Sequence, residues 1–264
     1  MEDAMLKVSI ITVCYNAAYS IERTIVSVAN QTYKNIEYII IDGASTDETM
    51  SIVKKHAEFI TLVVSEKDKG IYDAMNKGVL QSTGDILYFL NSDDQLFAKD
   101  TIGRVVSQFQ LNSKANIIYG KVKFINIPDK IINTFKVDDF EYKKSIDLVL
   151  KRVIPQQCFF VKRMVFDVIG LFDVNYKICG DYDWFLRSAK KGIPRTFIDL
   201  DVGVVDASGR SFKDRYQVIP EKISSVYRNS SIVVFCVYFI VSCFRKIKHF
   251  FCEEFLQPLR SVRK

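Results

Sequence analysis

Apolar, β-branched runs alternate with amphipathic stretches between residues 7 and 90. Lys7 to Tyr15 (KVSIITVCY) is almost wholly apolar, the pattern of a strand buried on both faces. After Ser20, which predicts a helix cap, Ile21, Ile25, Val28 and Ala29 fall on one helical face. Ile36–Ile41 predicts a second strand. Ser45 and Glu48 have capping-box spacing and predict a helix running towards His56. Phe59–Val64 predicts a third strand, Ile71–Gln81 a helix and Ile86–Leu90 a fourth strand. Strands and helices in this alternation imply a parallel sheet covered on both faces. The loops that follow its strands then share one edge, where open α/β sheets bind ligands.

Beyond Asn116 the pattern loosens. Ile117–Ile125 and Cys158–Val161 predict strands, and Asp181–Lys191 a helix with Trp184, Phe185 and Ala189 on its apolar face. Without an internal repeat or low-complexity linker, residues 1–224 read as one domain and 225–264 as a separate tail. The tail opens on Ile232–Phe244 (IVVFCVYFIVSCF), thirteen residues of which only Ser242 is not apolar. A bilayer-spanning helix needs roughly 20 residues. The run therefore predicts either a helix lying in an anionic membrane surface, the expectation adopted here, or a core or homodimer-interface helix.

Charge sharpens that choice. The chain of 264 residues has 37 Lys and Arg against 31 Asp and Glu, a net +6. Of this surplus, +4 lies in residues 245–264 and only +2 in the rest. A balanced body with a basic tail argues against a nucleic-acid partner and for an anionic surface. The apolar and charged fractions exclude a disordered tail, a fibre and a polytopic membrane protein. None of the six cysteines forms a CxxC pair, and the charged start MEDAMLK does not resemble a secretory leader. The expected compartment is cytoplasmic, at the inner face of the membrane, with no disulfide framework.

The polar residues gather in the loops after the strands: Asn16, Asp42–Asp47, Glu66–Asp68 and Asn91–Asp94. Adjacent carboxylates at a strand end, as in Asn91-Ser-Asp-Asp94, repel unless a cation relieves them. A hard divalent cation with oxygen ligands and phosphate partners is the expected relief, the alternative being acids that cap a helix or sit in a solvated turn.

The ordered set Val8–Asn16 (VSIITVCYN), Asp42–Asp47 (DGASTD), Glu66–Asn76 (EKDKGIYDAMN), Gly84-Asp85 and Asn91–Asp94 resembles glycosyltransferase family 2 over roughly residues 6–210. The resemblance implies a GT-A fold: a Rossmann-like, mostly parallel central sheet flanked by helices, here with a C-terminal helical tail. It also implies a nucleotide-diphosphate sugar donor, UDP-sugar being expected, a divalent cation and inversion at the anomeric carbon. Carried over by motif, Thr12, Val13, Asn16, Asp42, Ser45, Asp47, Asp68, Lys69, Gly70, Asn76 and Asp93 would bind the donor, and Asp94 the metal. Asn91 stands where the family often has Asp.

Cys179-Gly-Asp-Tyr-Asp-Trp-Phe-Leu-Arg187 resembles the family's acidic motif. Asp181 occupies the position of the base that takes the acceptor hydroxyl's proton, and Gly180 replaces the more usual Glu. Gln156, Gln157, Asp183 and Arg210 are expected near the donor or acceptor sugar. The acceptor is expected to be a saccharide, polyprenyl-linked because of the tail, in cell-surface polysaccharide synthesis. Two alternatives stay open: a sugar nucleotidyltransferase and a non-catalytic binding subunit. The loop Asn16-Ala-Ala-Tyr-Ser20 lacks the glycines and basic residues that a triphosphate or dinucleotide would need, and the intact acids argue against a merely binding role.

Overall fold

The computed structural model describes residues 5–126, 130–135, 154–207, 215–236 and 238–240. Strands β1 (Val8–Cys14), β2 (Ile36–Asp42), β3 (Leu62–Ser65) and β4 (Ile86–Phe89) alternate with helices α1 (Ile21–Ala29), α2 (Thr49–Lys55) and α3 (Ile71–Gln81). There follow β5 (Gln95–Leu96), α4 (Thr101–Leu111), β6 (Ile117–Asn126), β7 (Lys130–Phe135), β8 (Phe159–Lys162), α5 (Met164–Ile169), α6 (Gly180–Lys190), β9 (Arg195–Asp206) and α7 (Arg215–Asn229). The strands form one sheet in the order β3-β2-β1-β4-β8-β6-β9-β5, with β7 also on β6.

The sheet is parallel from β3 to β4 and mixed beyond. In its parallel half the register is flush, Cys14 opposite Asp42 and Asp42 opposite Ser65. These strands therefore stop at one level, and their following loops begin side by side. Every residue of β1 is buried, because helices cover both of its faces. On one side α3 comes so close that a Cβ at Gly78 would stand 2.4 Å from Ile11 Cγ2, so only glycine fits there. Deeper in the core Phe89, Phe166, Phe172 and Trp184 pack ring on ring, with centroids 4.7–6.2 Å apart. The Trp184 indole N–H donates to Gly170 O at 2.9 Å, which satisfies the one polar atom that this ring buries.

Several sequence expectations shift for identifiable reasons. Ser20 makes no side-chain cap to α1. The Ser45–Glu48 capping box does not form. The Ser45 hydroxyl donates to Asp42 instead, and Asp47 Oδ1 accepts the Thr49 N–H at the start of α2. Ala57–Phe59 is a 3₁₀ turn, so β3 starts only at Leu62. Helix α4 and the twelve-residue strand β9 are elements that the pattern reading did not predict. The expected division at 224–225 falls inside α7, where Val226 is fully buried. Cys14, Cys158 and Cys179 are buried free thiols, whereas Cys243 and Cys252 lie outside the described residues.

The opposite edge of the sheet is pinned by one carboxylate. Buried Glu37 accepts from Lys7 Nζ at 2.8 Å, Ser9 Oγ at 2.5 Å, Thr83 N at 2.7 Å and Thr83 Oγ1 at 2.6 Å. Burial alone would push its pKa up, but these donors outweigh it and bring the pKa down to about 2. A carboxylate depressed in this way stabilises the fold above its ordinary value of 4.5, and the gain is lost as pH falls towards 2. Glu37→Gln is therefore expected to cost about 2–3 kcal/mol at neutral pH. Urea denaturation should show the gap from the parent closing across that acid window.

Candidate active site

Two polar knots stand at the carboxyl edge of the parallel strands. The first is built on Asp42, the last residue of β2, which is fully buried. Its carboxylate accepts from Ser45 N at 3.1 Å, Ser45 Oγ at 2.5 Å and Ser65 Oγ at 2.6 Å. Ser45 Oγ in turn accepts the Asn16 N–H at 2.8 Å, and Asn16 Oδ1 accepts the Thr46 N–H at 2.9 Å. Asp47 accepts from Ala18 N at 3.1 Å. The loops after β1 and β2 are thus cross-tied, and they hold Asn16 and Ala44 in the left-handed region, at φ 49° and 62°. Non-glycine residues reach that region at a cost, which the surrounding hydrogen bonds offset.

Gly43 is the aperture of this knot. A Cβ there would lie 2.5 Å from Asp68 Oδ2 and 3.4 Å from the Tyr15 ring. The glycine lets a carboxylate and an exposed aromatic ring close on bare backbone. Asp68 Oδ1 accepts the Gly70 N–H at 2.9 Å, and Gly70, at φ 131°, opens α3. Lys69 is exposed beside it, its N–H donating to Asp73.

The second knot is at the end of β4. Asp94 is 1% exposed. Its Oδ2 accepts from Asn91 Nδ2 at 3.1 Å and Gln157 Nε2 at 3.0 Å, and its Oδ1 from Asp206 N at 3.2 Å. Asp93 beside it is half-buried. Burial, and then Asp93, push the Asp94 pKa well up; burial, and then Asp206, raise that of Asp93, against a lowering pull from Arg23. A cation would reverse both shifts. The donor set fits a hard divalent ion, being carboxylate oxygens already oriented by amide donors. Among the described residues no three His, Cys, Asp or Glu side chains converge as a ready cage. An ion at Asp94 would thus take further oxygens from a ligand or water, as Mg²⁺ ordinarily does.

Asp181 lies in the first turn of α6 and is half-buried. The Tyr72 hydroxyl, in the first turn of α3, is 3.1 Å from Asp181 Oδ1. This contact brings Asp181 to the end of α3 where Asp68 and Gly70 stand. Burial raises its pKa, opposed by the Tyr182 amide, Tyr72 and Lys222. A carboxylate raised in this way is a better proton acceptor than a solvated one.

Other expected site residues have their side chains on other partners. Thr12 Oγ1 pairs with Tyr38 Oη at 3.2 Å inside the core, and Val13 is buried among apolar neighbours. Asn76 brackets both the N–H and the C=O of Phe172 at 2.9 Å. Gln156 donates to Phe89 O at 3.0 Å. Asp183 is 4% exposed and ties α6 to α7, accepting from Arg187 Nε at 2.8 Å, Ser225 Oγ at 3.1 Å and Asn229 Nδ2 at 2.9 Å. Arg210 lies outside the described residues. Sequence reasoning missed Ser65, Tyr72 and Glu221. Glu221, on α7, accepts the N–H groups of Lys177, Ile178 and Cys179 at 2.8–2.9 Å and so shapes the approach to Asp181. No local motif marks it, because its partners stand more than forty positions away.

Comparison with known proteins bears on the family and the fold. Residues 9–170 match the family model described as Glycosyl transferase family 2. A Mycobacterium bovis relative, "PGL/p-HBAD biosynthesis glycosyltransferase", is 32% identical over 185 residues, 68% of this chain and 68% of its own length. Two solved structures share the fold. S. aureus TarS 1-349 in complex with UDP-GlcNAc gives a TM-score of 0.66 at 16% identity, over 86% of this chain and 68% of its own. Mannosyltransferase PcManGT from Pyrobaculum calidifontis, in complex with GDP-Man and Mn²⁺, gives 0.65 at 21% identity, over 87% and 66%.

The Asp183 contacts predict a structural phenotype. Asp183→Ala leaves Arg187, Ser225 and Asn229 without their shared acceptor and is expected to cost about 2–4 kcal/mol. Differential scanning calorimetry should show a lower Tm, while nucleotide binding by the folded protein stays at the parental level.

Proposed function

We propose that this chain, which belongs to glycosyl transferase family 2, moves a sugar from a UDP-sugar to a hydroxyl of a saccharide acceptor with inversion. The carrying observation is Asp181, a carboxylate with a raised pKa placed by Tyr72 at the same sheet edge as the buried Asp94. Asp68, Gly43 and Tyr15 would receive the base and ribose, with the Asp42 knot holding that pocket rigid; Asp93 would face the donor sugar. A divalent cation on Asp94, Mn²⁺ or Mg²⁺, would offset charge on the diphosphate. The acceptor oxygen attacks the anomeric carbon from the face opposite the diphosphate while its proton passes to Asp181. The bond from that carbon to the diphosphate breaks, and the electron pair leaves with the nucleotide. Gln157 serves this scheme by orienting Asp94, and Asp183 serves it through α6.

Asp181→Asn is expected to abolish transfer while donor affinity stays near the parental value. Asp94→Asn is expected to remove the metal-dependent part of donor binding, read by calorimetry with and without Mn²⁺. Incubating membranes with a panel of radiolabelled nucleotide sugars identifies the donor. Unchanged turnover in Asp181→Asn would reject the base assignment.

The acceptor is proposed to be lipid-linked, in cell-surface polysaccharide synthesis, and the protein peripheral at the inner membrane face. Exposed Tyr227, Ile232, Val233, Phe239 and Ile240 form an apolar stretch leading to the basic residues 245–264, which lie outside the described residues. No helix among the described residues is long and apolar enough to cross a membrane. An apolar surface followed by cations suits an anionic interface. Replacing Ile232, Val233, Phe239 and Ile240 by Ser is expected to lower co-sedimentation with phosphatidylglycerol vesicles at least severalfold, with a smaller effect on neutral vesicles. Equal sedimentation of parent and variant would reject the anchor in favour of an interface between chains, to be read from the molar mass in solution.

A further inference from the structure

Tyr72 stands between α3 and α6 in an arrangement that packing alone does not require. Its side chain is 4% exposed, and its ring lies against α6 where any other residue at 180 would put a Cβ, 2.8 Å from the ring edge. Gly180, which departs from the family's more usual Glu, is thus the space that Tyr72 occupies. The Tyr72 hydroxyl reaches two acceptors, Ile178 O at 2.6 Å and Asp181 Oδ1 at 3.1 Å. A phenol has one hydrogen, so it donates fully to only one of them at a time.

We propose that Tyr72 is a positioning residue for Asp181, its hydroxyl following the charge of that carboxylate. This rests on the reading of Asp181 as the base. While Asp181 is ionised, the hydroxyl turns its hydrogen to Oδ1, fixes the carboxylate rotamer and favours the charged form. Once Asp181 holds the acceptor's proton, the hydroxyl returns to the Ile178 carbonyl, where its contact is shorter, and its oxygen can receive a hydrogen bond from the new carboxylic acid. No covalent bond to Tyr72 forms or breaks. Burial beside Asp181 keeps the phenol protonated, since both effects push its pKa well up. The Ile178 end stays in place in either state, because Glu221 Oε2 holds the Ile178 and Cys179 N–H groups at 2.9 and 2.8 Å. The other groups acting on Asp181 are the Tyr182 amide of its own helix, Lys222 on α7 and its own backbone amide, which pull its pKa down as Tyr72 does; the Cys179 thiol, nearby, has its own pKa raised by burial and then by Asp181.

Tyr72→Phe keeps the ring and removes the hydroxyl. With the radiolabelled donor identified by the membrane panel, kcat is expected to fall roughly tenfold, the loss of one hydrogen bond to a charged group, with donor KM within about twofold of the parent. Losing a donor to the carboxylate raises the pKa of Asp181, so the acid limb of the kcat profile should move to higher pH. Gly180→Ala displaces the same ring by a different route and is expected to move the limb in the same direction; it carries the test if Tyr72→Phe does not fold. A parental kcat and an unmoved limb, or a raised KM with kcat intact, would overturn the proposal. Asp181→Asn separates the two failures. If it is inactive while Tyr72→Phe behaves as the parent, only the positioning role falls; if it is active, the base assignment falls first.

Discussion

Burying the Asp94 carboxylate beside Asp93 is the costly act on which the cleft depends. Removal from water pushes both pKa values up; Asp93 adds to the rise at Asp94, and Asp206 to that at Asp93. The protein meets part of this with hydrogen bonds from Asn91, Gln157 and the Asp206 amide. These donors come from the strand-end loop itself, from the turn before β8 and from the end of β9. The second half of the sheet is therefore tied to a residue of the first. Neutral amide donors orient a carboxylate without neutralising it, so attraction for a cation persists where a lysine contact would have cancelled it.

The Asp42 knot solves a different problem. Its carboxylate already holds Ser45 and Ser65, and the Ser45 hydroxyl passes the constraint on to Asn16. What remains accessible is the surface that this network stiffens: the Gly43 backbone, Asp68 Oδ2 and the exposed Tyr15 ring. A network of this kind leaves the loops little conformational freedom to lose should a ligand bind against them. The two left-handed residues, Asn16 and Ala44, mark where the backbone was bent to achieve it.

Local pattern made the parallel half of the sheet legible. Helix α3 has the bounds that its periodicity predicts, and β1, β2 and β4 begin and end within a residue or so of their apolar runs. The edge carrying the acids followed from topology alone. What the pattern could not carry is the assignment of individual side chains within those motifs. Thr12, Asn76, Gln156 and Asp183 sit in or beside motifs that face the cleft, yet each turns to a partner fixed by tertiary packing: Tyr38, Phe172, Phe89 and helix α7. Ser45 likewise had the spacing of a cap, but its hydroxyl donates to Asp42 and its oxygen accepts the Asn16 N–H. A motif specifies which residues reach an edge; whether each faces outward depends on contacts with residues far along the chain.

Helix α7 is where that long-range dependence is concentrated. Its Glu221 shapes the loop before Asp181, its Ser225 and Asn229 hold Asp183 two positions after it, and its Lys222 pulls on the Asp181 charge. The N-terminal turn of α6 is thus clasped on both sides by one helix. The same helix runs on to Tyr227, whose ring meets Phe235 at 5.2 Å, and Phe235 meets Phe239 at 6.1 Å, so the exposed apolar stretch is packed onto the helix that clasps the Asp181 turn. The surface stretch and the turn that carries Asp181 thus rest on one helix, although they are far apart in the sequence.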